Sequence, residues 1–490
     1  MQSDELKGPL LQARLGDAGV PEEPLGIVEE HGAGAALKPF PKASLVALLA
    51  CVMAITLALA GCAGSTAGAS SSSSASGSAS GASGSAVSAS VAPSVDTTPH
   101  SQMTVDLMEM IDNDPDLKAL VEKSLAKAWE INPDPQTNPA KNLDELYAFT
   151  DWAEKCLPWK TVEGHEGDGV YEHVDQSLDA FYFLFDQPLD ELKGKGYYYP
   201  SLQYHQPIRS WLIEYASNWG QFLSSPESWS DEAYNLICTD ERFNMTNGWY
   251  GDANIWTNFN DWFARHLVDQ PASHPIDKNA AVVFPADSKP QGVWEIDKDG
   301  MFATDDGGVA VKSARFNDIE NLLSPSSKYA QSFNGGTFTH TFLDVNDYHR
   351  YHFPVSGTIV EVKKIPAQDA AGGVTIWDEK ANHYVLLDQD PGWQSIETRD
   401  LVVVDTGEYG LVAILPIGMS QVSSCNFEDS VVVGAHVKKG DPMGYFLFGG
   451  SDICMVFQEG VKVDYLPAQN ADGTYDHVLM GQPLANLSRG

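Results

Sequence analysis

The chain has 490 residues, enough for two or three domains with at least one sizeable core. Its 30 basic and 67 acidic residues give a formal net charge of −37, a surface that repels nucleic acid and argues against polyanion binding. Six cysteines without a C-x-x-C pair fit neither a disulfide framework nor a zinc ribbon, although an exported protein could form one or two bridges among Cys156, Cys238, Cys425 and Cys454.

Lys38 and Lys42 precede an apolar run over 43–60 that ends in Leu59-Ala60-Gly61-Cys62. A basic flank, an apolar core and small residues before a cysteine resemble a bacterial lipoprotein signal peptide. The resemblance implies a signal segment over 1–62, with Cys62 lipidated and becoming the mature N-terminus. A transmembrane anchor of similar length is the competing reading. Residues 1–37 are long and not basic for such a leader, and a start codon assigned upstream of the true one would account for them. Residues 63–98 are dominated by Ser, Ala and Gly, cannot bury a core and read as a flexible tether. Both features place the mature protein at the bacterial cell envelope, outside the cytoplasm and held to the membrane through its N-terminal anchor.

Residues 99–275 read as a helical domain. Asp114-Pro115 is a cap followed by proline at the first helical position, and Leu117, Leu120, Val121, Leu125 and Ala128 follow at helical spacing. Asn142 caps a second helix carrying Leu143, Leu146, Tyr147, Phe149 and Trp152. Further helices are predicted over 178–192, with Phe181, Phe183 and Phe185, and over 208–222, with Trp211, Leu212, Tyr215 and Trp219. At this spacing the aromatics read as helix–helix core rather than pocket lining. The run 256–267 has an amphipathic pattern with a charged Arg265 and predicts a docking helix.

From 276 to 490 the texture changes to short β-branched runs punctuated by Gly and Asp. Strands are predicted at 281–284, 358–362, 384–387, 401–404, 411–415 and 431–433. The pieces 354–362 and 434–444 resemble a barrel-sandwich fold of the biotinyl or lipoyl kind. The expected class is α+β, a helical N-terminal domain followed by a β-rich, barrel-sandwich-like domain.

Three points in this half carry chemistry. Asp287 ends the apolar run Phe284-Pro285-Ala286, where an aspartate is commonly a turn residue. Asp347-Tyr348-His349-Arg350-Tyr351-His352 is unusually dense in ionisable groups for a structural strand. A zinc site at His349 and His352 would need a bend, because residues three apart on a strand face opposite sides, and no third ligand stands at a familiar spacing. No metal site is therefore expected. Finally, Gly449-Gly450-Ser451 sits between two apolar runs and, taken alone, reads as a tight turn joining buried strand ends. A serine after glycine can also attack the preceding carbonyl, given a histidine base oriented by a carboxylate. Asp287, His352 and Ser451 supply those residue types.

Together these segments resemble the phosphatidylserine decarboxylase family. Phe259-Asn260-Asp261-Trp262-Phe263-Ala264-Arg265 is similar to its Phe-Asn-x-Phe-Phe-x-Arg motif, and Phe284-Pro285-Ala286-Asp287 to its Pro-x-Asp-Gly motif. Asp347-Tyr348-His349-Arg350-Tyr351-His352-Phe353-Pro354 is similar to Asp-Tyr-His-Arg-x-His-x-Pro, and Phe448-Gly449-Gly450-Ser451 stands at the Gly-Ser processing site. The helical middle resembles the accessory domain of family members that act on free aromatic amino acids. The resemblance implies a zymogen in which Asp287 orients His352, His352 deprotonates Ser451, and the chain cleaves itself between Gly450 and Ser451. It also implies a pyruvoyl cofactor derived from Ser451, a Schiff base to the substrate amine, and His349 or His352 as proton carrier. The long and short chains would stay associated. The implied partner is a phospholipid substrate, phosphatidylserine converted to phosphatidylethanolamine, with a free aromatic amino acid as the alternative. No nucleic-acid partner is implied, and an oligomer is left open.

Two residues depart from the family pattern. Ser288 replaces a glycine after Asp287, and Asp452 follows Ser451 where Ser or Thr is usual, which puts a carboxylate beside the reacting hydroxyl. A non-catalytic envelope binding protein on a degenerate scaffold and an envelope zinc peptidase are the readings from other classes.

Overall fold

The computed structural model describes residues 99–160, 169–251, 253–301, 318–367, 372–387, 392–419 and 425–490. The signal segment, Cys62 and the Ser/Ala/Gly tether lie outside the described residues. Helices occupy the first part: α1 (Gln102–Asn113), α2 (Pro115–Ile131), α3 (Leu143–Ala153), α4 (Val170–Phe183), α5 (Ile208–Leu223), α6 (Asp231–Ile237), α7 (Phe259–Phe263) and α8 (Gln270–Ser273). The predicted caps are made. The Asp114 side chain accepts from the Asp116 and Leu117 amides, and Asn142 accepts from Glu145. Leu117, Val121, Leu125 and Ala128 form the buried stripe of α2.

The predicted 178–192 helix is cut short. α4 ends at Phe183 in a turn over 184–185, and Pro188 keeps the helix from resuming through 187. The aromatics are core, as their spacing implies: Phe181 stacks on Tyr215 with ring centroids 5.1 Å apart, and Phe183, Phe185, Trp211 and Trp219 are buried. The docking helix over 256–267 shrinks to α7, because Arg265 turns inward instead of facing solvent. Its guanidinium is fully buried and donates to the carbonyls of Asn346 and Asp347, each at 3.0 Å.

Strands follow: β1 (Val282–Val283), β2 (Lys289–Glu295), β3 (Thr337–Leu343), β4 (Arg350–His352), β5 (Gly357–Ile365), β6 (Val374–Asp378), β7 (His383–Leu387), β8 (Thr398–Asp405), β9 (Leu411–Met419), β10 (Cys425–Phe427), β11 (His436–Val437), β12 (Pro442–Phe446), β13 (Gly450–Phe457), β14 (Val461–Tyr465) and β15 (Pro483–Arg489), with α9 (Ile319–Leu323) between β2 and β3. A seven-stranded antiparallel sheet runs β11-β5-β8-β9-β13-β3-β2, beside the small sheets β1-β15-β14, β10-β12-β4 and β6-β7. The class is α+β as expected, and among the described residues no sheet closes into a barrel. The strand predicted at 431–433 does not form: the segment is irregular and runs into a turn at 433–434, and Val432 and Val433 are exposed. Cys156, Cys238, Cys425 and Cys454 are free thiols, so the bridges considered among them are not made.

Alternation along β13 separates two cores. Ile453, Met455 and Phe457 pack with Phe284, Tyr351, Phe353 and Phe446, whereas Cys454 and Val456 pack with Leu322, Phe333 and Trp393. A third cluster brings helical residues Trp219, Phe259, Trp262 and Phe263 onto Val345, Tyr348 and Phe448. The helical and β-rich parts thus share a core beside the Gly450-Ser451 segment.

Candidate active site

The Gly-Gly-Ser stretch is where the chain leaves the β10-β12-β4 sheet and enters the seven-stranded one. β12 and β13 do not pair with each other, so the corner is a crossing between sheets rather than a hairpin. The bend falls at Phe448-Gly449, and Gly450 is already the first residue of β13, paired with Met419. Gly449 has φ +143°, in the region side chains disfavour. A Cβ on Gly450 would lie 2.4 Å from Met419 Cγ, so both glycines are required by geometry. Two hydrogen bonds hold the approach: the Phe446 amide donates to His349 O at 2.9 Å, and the Phe448 amide to Asn260 Oδ1 at 3.0 Å. The Ser451 hydroxyl is fully buried and directed at Gly449 O, 3.5 Å away.

Asp452 points to the opposite face of β13 from Ser451, since successive strand residues alternate. It pairs with the buried His340 Nε2 at 2.5 Å. The carboxylate expected to crowd the reacting hydroxyl is therefore directed away from it. Burial, reinforced by the Asp452 charge, pushes the nearby Glu397 carboxyl well above its ordinary range. Ser288 needs no left-handed backbone in place of the family's glycine. Its hydroxyl accepts from Thr341 Oγ1 at 2.6 Å and donates to Ala286 O, while its backbone bridges Val478.

Asp287 follows β1 and is buried. Its carboxylate accepts from the Met480 amide at 2.8 Å and pairs with His274 Nε2 at 3.0 Å. His274 is itself fully buried, edge-on to Trp249 at 4.6 Å. The direct Asp287–His352 hydrogen bond expected from the resemblance is not made, because His274 takes that place. On β4, His352 Nδ1 lies 2.9 Å from Gly440 O, which makes it the protonated nitrogen, and Nε2 accepts from the Tyr348 hydroxyl at 3.2 Å. Burial lowers the His352 pKa, so the ring is a neutral base with its lone pair on Nε2. No hydrogen bond joins Asp287, His352 and Ser451 to one another.

His349 is buried, stacks on Phe263 at 3.8 Å and donates from Nε2 to Asp344 O at 3.0 Å. Nδ1 is then left as a buried lone pair without a donor. Burial, aided by the Arg265 charge, lowers its pKa to about 3. Asp347 pairs with His477 at 2.8 Å, and burial raises its carboxyl to about 6. A cleft of about 710 Å³, lined by His266, Arg350, His352, Glu428, His436 and Gly440, brings solvent to the His352 side of this region. Among the described residues no group of three or more His, Cys, Asp or Glu is arranged to hold a metal, and no helix is long and apolar enough to cross a membrane.

His274, Tyr348, His477 and Asn260 were not singled out by the sequence reasoning. Tyr348 and Asn260 lie inside motifs already quoted, and His477 carries no local signal. His274 falls at the end of the 99–275 segment, outside every motif.

Set against known sequences, the chain is a protein of the carboxy-lyase class. Residues 259–486 match the family described as phosphatidylserine decarboxylase, and they form a domain of that family. A phosphatidylserine decarboxylase proenzyme from Fusobacterium nucleatum is 29% identical over 311 residues, covering 61% of this chain and 93% of its own. One from Ruminiclostridium cellulolyticum is 27% identical over 254 residues, covering 50% of this chain and 76% of its own. An L-tryptophan decarboxylase from Psilocybe cubensis is 26% identical over 292 residues, covering 52% and 63% respectively.

Proposed function

We propose that this decarboxylase matures by cleaving itself between Gly450 and Ser451 and then converts phosphatidylserine to phosphatidylethanolamine at the cell envelope. The observation that carries the reading is the Gly449-Gly450-Ser451 crossing, where two sterically required glycines set the Gly449 carbonyl 3.5 Å from a buried serine hydroxyl, one residue before the carbonyl to be attacked. Ser451 Oγ attacks the Gly450 carbonyl carbon, the C–N bond breaks, and an ester with a free Ser451 amine forms. Loss of the Ser451 Cα proton expels the Gly450 carboxylate. Water then replaces the nitrogen, which leaves as ammonia, and a pyruvoyl group caps residues 451–490. His352, neutral with Nε2 facing the Tyr348 hydroxyl, is the base for the first step. Asp287 and His274 act behind it as a buried polar pair.

The buried, unpartnered Nδ1 lone pair of His349 is a free base for a proton on a substrate group, since the ketone of such a cofactor would itself offer only acceptors. When formed, the pyruvoyl group supplies an electron sink for carbon dioxide loss from an attached substrate amine. His349 is then the proton carrier: its low pKa keeps it neutral at neutral pH, and its stack on Phe263 fixes the ring. A free aromatic amino acid is the second reading, favoured by the similarity to the L-tryptophan decarboxylase. Lipidation at Cys62 tethers the enzyme in either case.

Intact-mass measurement of purified protein tests maturation. We expect two chains, with the break lost in Ser451→Ala; one unbroken wild-type chain would refute the reading. Carbon dioxide release from phosphatidylserine vesicles against free tryptophan decides the substrate.

A further inference from the structure

We propose that Asn260 is a positioning residue for the Gly450–Ser451 cleavage, acting through Phe448. The inference rests on the self-processing reading above. Asn260 is 2% exposed and spends its carbonyl oxygen on the Phe448 amide at 3.0 Å. Its Nδ2 donates to Ser224 Oγ at 2.9 Å and Gly220 O at 3.4 Å, both on or next to α5. These bonds fix which way the side-chain amide faces, because flipping it would set a donor against the Phe448 N–H.

The Phe448 ring is enclosed by aromatic neighbours. Trp219, Phe259 and Phe263 meet it edge-on, with centroids 5.5, 5.2 and 5.1 Å away. Between Phe448 and Ser451 the chain has only two glycines, with no side chain to hold them and wide backbone freedom. The grip on Phe448 is therefore the nearest side-chain anchor upstream of the scissile carbonyl. α7 also sets the other side of the site, because its Phe263 stacks on His349 and Arg265 just beyond it holds the carbonyls of Asn346 and Asp347. One short helix thus spaces the His349 segment from the Gly450 carbonyl. A loss of this grip moves the carbonyl relative to the Ser451 hydroxyl, and near-attack geometry is sensitive to such displacement.

The test follows first-order appearance of the 451–490 fragment by intact mass in the full chain. Wild type is compared with Asn260→Ala, Phe448→Ala and Phe448→Leu. Melting temperatures of unprocessed forms are read in a Ser451→Ala background. We expect Asn260→Ala to slow cleavage by roughly tenfold or more. The pH midpoint of cleavage should stay in place, and Phe448→Leu, which keeps an apolar anchor, should cleave faster than Phe448→Ala. Wild type that never cleaves overturns the self-processing reading together with this inference. Wild type that cleaves beside an equally fast Asn260→Ala overturns the inference alone. So does a slowing that vanishes once rates are divided by the folded fraction.

Discussion

Gly450→Ala isolates the steric requirement at the scissile bond. The added Cβ would stand 2.4 Å from Met419 Cγ and 3.0 Å from its sulfur. Cγ is close to the backbone and cannot swing clear as a side-chain tip can, and Met419 is held in β9 directly opposite Gly450. Overpacking of this kind costs about 1–3 kcal/mol. If that strain displaces the Gly450 carbonyl from the Ser451 hydroxyl, cleavage slows by about 5- to 150-fold. The control is Met419→Ala, which opens space where the new methyl must go at a stability cost of about 2–5 kcal/mol. In the double variant the methyl occupies that space. Its cleavage rate should return to within a few-fold of Met419→Ala alone, with a coupling of about 1 kcal/mol or more between the two sites. Rates come from intact mass over time and stabilities from denaturant titration in a Ser451→Ala background. A Gly450→Ala chain that cleaves as fast as wild type, or a double variant no faster than Gly450→Ala, would refute the steric argument.

Asp452→Asn should leave the cleavage rate within roughly threefold of wild type, because the side chain bonds His340 on the face away from Ser451; a large acceleration would show that its charge does oppose the serine. His274→Ala strips a partner from the buried Asp287 carboxylate and should destabilise by about 1–3 kcal/mol, while slowing cleavage. An unchanged melting temperature would count against the buried pair. His349 has a folded pKa of about 3, below its ordinary 6.5, so the unfolded chain binds a proton that the folded one refuses between those values. The stability from neutral His349 is complete above pH 6.5 and is lost as pH falls toward 3, at about 1.4 kcal/mol per pH unit. In His349→Gln the acid limb of a urea-midpoint profile should be shallower by that slope, and superimposable profiles would refute the assignment.

Local signals carried much of the fold into the sequence. Caps at Asp114 and Asn142, apolar stripes, and β-branched runs place α2, α3, β5, β8 and β9 to within a few residues. Elements were misread where a distant partner overrules the local pattern. Arg265 looks like the polar side of an amphipathic helix, yet carbonyls at 346 and 347 draw it into the core and the helix ends. The three valines at 431–433 have strand composition, but no neighbouring strand pairs with them and the chain turns there. The site shows the same division. Asp287, His349, His352 and Ser451 were legible as residue types in motifs, whereas the insertion of His274 beside Asp287 was not, because only the packing of 274 against 287 and Trp249 creates it.

Asp452 makes the point most sharply, because its role depends on parity. In a turn, neighbouring side chains can share a side, and a Gly-Gly-Ser-Asp stretch reads locally as a turn. In a strand they cannot, and a one-residue change in where the strand begins decides which description holds at Ser451 and Asp452. That beginning is set by pairing of Gly450 with Met419 and of Ser451 with Leu343 and Gly418, all remote in sequence. The electrostatic objection to cleavage therefore depended on a register that no local pattern encodes, and the register directs the carboxylate to His340 instead.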